Sequence, residues 1–205
     1  MKILAATSNP GKISEIRRIL GAGGITVVTP GEMGIEIDVE ENGDTFEDNA
    51  VAKAVAYLRA SGMPSLADDS GLCVEALGGR PGVRSARFAG QGASDRENYE
   101  LLLRLMEGVS DRRAAFVCTA ALALEDGRIV TATGRCEGLI LEAPRGASGF
   151  GYDPVFLEPA SGKTFAELAE DEKNAISHRG RALVALMATL EEMGLLPGKD
   201  PASCA

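Results

Sequence analysis

The sequence predicts an α/β fold on three observations. A short apolar strand runs through a polar loop into a helix at the start of the chain. A long β-hairpin occupies the second half, and amphipathic helical segments are spread between and after them. At 205 residues the chain can bury a sizeable core, and one folded unit over 1–196 with a tail over 197–205 is the expected organisation. Hydrophobic residues make up 45% and charged residues 25%, which argues against extensive disorder.

The opening unit is Lys2 to Ala6, a buried strand, followed by the turn and capping cluster Thr7-Ser8-Asn9-Pro10-Gly11-Lys12. Ile13, Ile16, Ile19 and Leu20 recur at helical spacing, and Gly21 to Gly24 close that helix. Ile25 to Val28 and Ile35 to Val39 are β-branched and read as strands, and Glu40-Glu41-Asn42-Gly43 reads as a turn. Asp44 or Thr45 caps a helix with Phe46, Ala50, Ala54, Tyr57 and Leu58 on one face. Asp68-Asp69-Ser70-Gly71 interrupts two apolar runs and is expected to be an acidic turn that is not deeply buried. Gly78 to Gly92, rich in glycine and arginine, is expected to be an ordered irregular loop.

Ser94 and Glu97 form a capping box for a helix bearing Leu101, Leu102, Leu105 and Met106. Ala114 to Leu124 and Ile129 to Leu141 flank Glu125-Asp126-Gly127, the hairpin. A second glycine-rich loop, Gly146 to Pro154, contains Phe150-Gly151-Tyr152-Asp153. The last helix starts at Ser177 and carries Leu183, Leu186, Met187 and Leu190, with Gly194 just past its end. From Pro197 the chain is expected to fray.

Several function classes are disfavoured. A formal charge of −9, with no block of basic residues, argues against binding a nucleic-acid polymer. No stretch approaches the length of a bilayer span and no secretory signal opens the chain, so a cytoplasmic location without membrane contact is expected. Cys73, Cys118, Cys136 and Cys204 lack metal-ligand spacing, and His178 is the only histidine, so zinc and disulfide frameworks are poor readings. Cys73, Cys118 and Cys136 are expected to be small core or near-core residues, and Cys204 to lie in the tail.

Three constellations carry chemistry. Thr7 to Lys12 concentrates hydroxyl, amide and ammonium donors at a helix N-terminus, which suits a phosphate, although simple capping by Ser8 or Asn9 accounts for the same residues. Neither the P-loop nor the dinucleotide glycine pattern is present. Glu40-Glu41 and Asp68-Asp69 are two acidic turns. One alone reads as a solvated loop, but two beside a donor-rich loop point to a hard cation such as Mg²⁺. Lys173 with Ser177-His178-Arg179-Gly180 places cations in a first helical turn, against the helix dipole. A neutral His178 and a ligand-facing Arg179 would resolve that conflict.

These landmarks, in this order, resemble the Ham1/RdgB-type inosine and xanthosine triphosphate pyrophosphatases from about Lys2 to Gly194, with Gly79-Arg80-Pro81-Gly82-Val83, Ser85-Ala86-Arg87, Asn49-Ala50 and Ile176 also matching. The resemblance implies a two-lobed, elongated α/β subunit around a long mixed sheet with a central cleft, and a homodimer. It implies hydrolysis of ITP, dITP and XTP to the monophosphate and pyrophosphate. Carried over by residue, Thr7, Ser8, Asn9, Pro10, Gly11 and Lys12 hold the triphosphate. Glu41 and Asp69 bind Mg²⁺, with Glu41 preferred over Glu40, and Asp69 accepts the proton of the attacking water. Ser70 contacts substrate, Phe150, Gly151, Tyr152 and Asp153 frame the base, and Lys173, His178 and Arg179 complete its recognition. Two competing readings are a Maf-like pyrimidine nucleotide pyrophosphatase, against which Ser177-His178-Arg179-Gly180 argues, and a nucleotide-binding module without catalysis, which has no use for paired carboxylates.

Overall fold

Apolar alternation and two kinds of strand connection build one mixed sheet. The computed structural model describes residues 1–196, so the expected tail and Cys204 lie outside the described residues. Among the described residues the sheet has seven strands in the order β2-β1-β3-β4-β5-β6-β7. They are β1 Lys2–Ala5, β2 Thr26–Val28, β3 Ser65–Val74, β4 Arg113–Ala123, β5 Ile129–Ile140, β6 Phe156–Glu158 and β7 Lys163–Thr164. The helices are α1 Pro10–Ala22, α2 Pro30–Met33, α3 Phe46–Ser61, α4 Asp95–Leu105, α5 Glu170–Ile176 and α6 His178–Glu192. β1 runs parallel to β2 and β3, which helical crossovers require, and the remaining neighbours are antiparallel.

The register of β3 decides where a site can form. It pairs with β4 along its whole length, from Ser65 opposite Ala123 to Val74 opposite Ala114, but meets β1 only through Ser65 and Leu66. Beyond Leu66 one edge of a central strand is therefore open, and Asp68, Asp69 and Ser70 lie on it. Asp68-Asp69-Ser70-Gly71 is thus not the exposed turn expected from its charge: it is mid-strand, with Asp68 only 2% and Asp69 7% exposed. Strand geometry tolerates this because cations described below neutralise the buried charge.

Side-chain alternation along β3 sends Leu66 into a core with Ile16 and Leu20 of α1 and Leu183 and Leu186 of α6, and sends Ala67 into a small-residue core with Ala50 and Ala54 of α3. A third cluster, around the far ends of β3, β4 and β5, takes in Leu102 of α4, Met106 just past its end, Phe116, Phe156 and Phe165. Two lobes result, with the cleft between them. Caps fix the helices as expected: Thr45 rather than Asp44 for α3, the Ser94/Glu97 box for α4, Ser177 for α6. Gly194, in the left-handed region at φ 69°, follows the end of α6.

Two elements differ from expectation. Ile35 to Val39 forms no strand. Its side chains alternate between half-buried and exposed, but α2 and the left-handed Gly34 lead the chain off the β2 edge, and the segment pairs with no strand. Gly78 to Gly92 is irregular as expected but contains a 3-10 turn over Gly82–Arg87. Of the cysteines, Cys118 and Cys136 are buried and Cys73 is half-buried, all three as free thiols. Among the described residues no helix is long and apolar enough to cross a membrane.

Gly134 of β5 faces the first turn of α6 so closely that a Cβ would overlap the His178 carbonyl and the Ala182 amide. Gly134→Ala should therefore cost about 1–3 kcal/mol in urea unfolding, since neither backbone can yield without moving the other. Gly31→Ala, where a Cβ meets nothing, should stay within about 0.5 kcal/mol.

Candidate active site

The open edge of β3 is bordered by α1, α3 and α6, and alternation along the strand sorts its two acids onto different faces. Asp68 points with Leu66 toward α1 and α6. Its Oδ2 accepts from Nε and Nη2 of Arg179 at 3.1 and 3.0 Å, and pairs with Lys12 Nζ at 3.1 Å. Arg179 also donates to Glu15 and, through Nη2 at 2.9 Å, to Ser70 Oγ. Glu15 pairs in turn with Lys173 Nζ at 2.9 Å, which reaches Asp153 Oδ2 at 2.7 Å. Lys12, Asp68, Arg179, Glu15, Lys173 and Asp153 thus form one row of alternating sign with no net charge.

Burial opposes ionisation of Asp68, but Arg179 and Lys12 outweigh it and hold the carboxyl well below the usual carboxylate range. Burial likewise works against the charge on Lys173, yet Asp153 and Glu15 raise its pKa.

Asp69 points the other way, toward α3. Asn49 donates to its Oδ2 at 2.8 Å and the Ser70 amide donates to Oδ1 at 2.9 Å. The same Asn49 accepts the Gly43 amide at 2.8 Å, so one buried side chain ties the Glu41 turn to Asp69. Glu41 is paired with Lys53, one helical turn past Asn49, and the Glu41 carbonyl accepts from Arg87 at 2.9 Å. Glu40 instead accepts from Asn42 and does not line the cleft. Burial raises the pKa of Asp69, with Asn49, Lys12 and Lys53 opposing. A carboxylate so placed is a stronger proton acceptor than one in water.

The cleft, open to solvent, spans about 750 Å³ of empty space, and its wall joins both faces around the β3 edge. Of the residues singled out in the sequence, Asn9, Lys12, Glu41, Asp69, Ser70, Phe150, Gly151, Tyr152, Asp153, Lys173, His178 and Arg179 line it together. Thr7, Ser8, Pro10 and Gly11 do not. Thr7 Oγ1 accepts from the Asn9 amide, Ser8 is exposed, Pro10 opens α1, and Gly11 packs against the Phe150 ring. Asn9 caps α1 by accepting the Lys12 amide at 3.1 Å, so the capping and cleft readings of that loop both hold.

His178 is stacked on Phe116 with centroids 4.6 Å apart, and its buried Nδ1 has no protein partner among the described residues. Burial, then Arg179 and Lys173, lower its pKa well below the ordinary value, giving the neutral imidazole expected at that helix start. Arg179 differs from expectation. It lines the cleft, but at 1% exposure its guanidinium is engaged by Asp68, Glu15 and Ser70.

Glu15, Asn49, Lys53, Asn98, Ser85 and Phe116 were not singled out as site residues, yet they line or brace the cleft. The signal for the first three was a polar residue on an apolar stripe. Glu15 stands at i+3 from Lys12 beside Ile16, and Asn49 and Lys53 flank Ala50 and Ala54.

Fold and site together define a mixed-sheet α/β protein with an acidic, lysine-flanked pocket between two lobes. The chain belongs to the Ham1 family, whose model matches residues 3–189. A dITP/XTP pyrophosphatase from Desulforamulus reducens is 50% identical over 195 residues, covering 94% of this chain and 97% of that protein. Among solved structures, the Staphylococcus aureus Ham1 protein superposes with a TM-score of 0.84 at 41% identity, covering 94% of this chain and all of that one, 100%. A HAM1 protein from Coxiella burnetii gives the same TM-score of 0.84 at 42% identity, with 94% and 99% coverage.

Because the native state keeps His178 neutral while the unfolded chain protonates it below about pH 6.5, the unfolded state binds the extra proton as pH falls. Its contribution therefore weakens stability below that pH, by up to about 1.4 kcal/mol per unit. Urea titrations should show His178→Gln losing less stability than wild type between about pH 6.5 and 5. As the only histidine, His178 should also show no imidazole titration by NMR over that range in the native state.

Proposed function

We propose that the protein hydrolyses the triphosphates of deaminated purines, ITP, dITP and XTP, to the monophosphate and pyrophosphate. The observation that carries the reading is the two-ended cleft. Asp69, Glu41, Lys12 and Lys53 meet at one end, while Phe150 to Asp153, Lys173 and His178 stand at the other. The similarity to the dITP/XTP pyrophosphatase of Desulforamulus reducens supports the same reading.

Lys12 and Asn9 bind phosphate oxygens at the α1 N-terminus, where the helix dipole adds to the lysine charge. Lys53 faces the same group from α3. Asp69 accepts a proton from water as the water oxygen attacks the α-phosphorus; the bond from that phosphorus to the bridging oxygen breaks and pyrophosphate leaves. Asn49 holds the Asp69 carboxylate in aim. Ser70, fixed by Arg179, contacts the substrate between the two ends. The base lies against Phe150 in the frame of Gly151, Tyr152 and Asp153, with its 6-oxo edge toward His178, Lys173 and Arg179. Arg179 acts there chiefly by holding Asp68 and Ser70. Thr7, Ser8, Pro10 and Gly11 shape the phosphate loop through its backbone.

The oxygen donors fit a magnesium ion. With Lys12 paired to Asp68 and Lys53 to Glu41, Asp69 leaves this end one negative charge in excess, and among the described residues no cage of three or more ligating side chains exists. Mg²⁺ characteristically takes one or two carboxylates and completes its shell with water and substrate phosphate. Held by Glu41 and Asp69, it would supply charge screening to the phosphate oxygens. We place residues 1–196 in one two-lobed unit, acting as a cytoplasmic homodimer; sedimentation at the monomer mass would remove the dimer from this reading.

With Mg²⁺ present, Asp69→Asn should lower the rate of pyrophosphate release from ITP by roughly 10²–10⁴-fold at unchanged thermal stability. Wild-type turnover in this variant would sink the mechanism. Glu41→Gln should raise the Mg²⁺ concentration needed for half-maximal rate. In a panel of ITP, XTP, dITP, ATP, GTP, dUTP and dTTP, orthophosphate as main product or a preference for dTTP would favour the Maf-like alternative.

A further inference from the structure

The turn that carries Phe150 is strung between two helix starts. On one side the Phe150 ring packs against Gly11 of α1, with Lys173 Nζ 4.7 Å and Arg179 Cζ 5.7 Å from its centroid. On the other side stands Asp95, the first residue of α4, whose Oδ2 accepts the Gly151 amide at 2.7 Å across 56 residues of sequence. Gly151 itself has φ 61°, in the left-handed region that favours glycine.

Other bonds of the turn leave this one a distinct task. The Phe150 amide donates back to Asp153 within the turn, and the Tyr152 hydroxyl donates to the Ser85 carbonyl at 2.8 Å, fixing the second half. The first half, bearing the ring, has glycine on both sides at positive φ and is approached by an exposed segment from Ala143 to Gly149. The Ser148 amide is held by the Ala166 carbonyl and the Phe150 amide by Asp153, and between this half and Tyr152 the Gly151 amide is fixed from outside the turn by Asp95. Asp95 is suited to do so. The Ser94/Glu97 capping box fixes its position, and a carboxylate acceptor makes the stronger kind of hydrogen bond.

We propose that Asp95 is a positioning residue for nucleobase binding. By accepting the Gly151 amide it sets the orientation of the Phe150 platform, and it takes no part in the chemistry at the phosphate end. The assignment rests on the base lying at the Phe150–Asp153 turn, as argued under the proposed function.

The test uses the full chain with Asp95→Ala and Asp95→Asn, since the amide oxygen of asparagine can still accept from Gly151. Two quantities are read: steady-state pyrophosphate release from ITP with Mg²⁺, and amide hydrogen exchange across residues 146–153 without nucleotide. Asp95→Ala should raise KM for ITP roughly tenfold, the loss of one hydrogen bond to a charged group, with kcat within about twofold. It should also speed exchange at Gly151, and Asp95→Asn should restore both quantities toward wild type. Unchanged exchange in Asp95→Ala overturns the tether and leaves the placement of the base standing. Faster exchange with unchanged KM overturns the link to the base and, with it, that placement. Equal impairment of Asp95→Asn and Asp95→Ala overturns the proposal in favour of a role for the charge itself.

Discussion

The pairing of Arg179 with Asp68 is the constraint on which the rest of the site depends. An arginine 1% exposed and an aspartate 2% exposed cannot stay ionised unless each finds its partners inside the protein. Asp68 alone does not satisfy the guanidinium, so Glu15 and Ser70 complete it; Glu15 then requires Lys173, and Lys173 is shared with Asp153. One buried pair thereby fixes side chains from α1, β3, α5, α6 and the Phe150 turn. Removing one member of such a pair typically costs about 3–5 kcal/mol because the other is left buried and uncompensated. The row therefore sets geometry more than it adds stability, and it links Asp153 of the Phe150 turn to Lys12 at the start of α1.

A strand, not a turn, makes the two neighbouring acids do different things. In a turn, Asp68 and Asp69 would share solvent and compete for the same cation. In β3 their side chains leave opposite faces, so Asp68 is spent on Arg179 and Lys12 while Asp69 is braced by Asn49. The opposite pKa directions follow: two cations in contact outweigh burial at Asp68, and no cation touches Asp69, so burial prevails there.

Helix caps, the Glu125-Asp126-Gly127 hairpin and the sheet-forming segments were legible because each rests on local chemistry over a few residues. The burial of Asp68 and Asp69 was not legible. Charge density in four residues resembles a solvated turn until Lys12 and Arg179, 56 and 111 residues away, are known to close on Asp68, and Asn49 to brace Asp69. Ile35 to Val39 failed for a related reason: strand propensity was present, but a strand needs a neighbour, and α2 removes it. Glu15 and Lys53 were hidden because a polar residue on an amphipathic helix is ordinarily solvated.

The open edge of β3 gives one cleft access to both faces of the sheet at once. A fully paired central strand would wall off Asp69 and Glu41 from His178 and Phe116. Because β1 stops opposite Leu66, the wall is missing for the length of Asp68 to Ser70, and Lys12 covers the gap by donating to the Asp68 carbonyl at 3.4 Å. Further along, the Leu72 amide, which would otherwise lack a strand partner, donates to Ser85 Oγ at 2.9 Å. The cleft is thus an interruption of the sheet whose backbone groups are satisfied by side chains from the two lobes. In the proposed function, a ligand that reaches round the edge presents its aromatic part to the Phe150 and His178 side and its phosphates to the Lys12 side, with Mg²⁺ between them and Asp69. That division of the ligand follows from the length of one short strand, β1, as much as from the identity of any residue in the site.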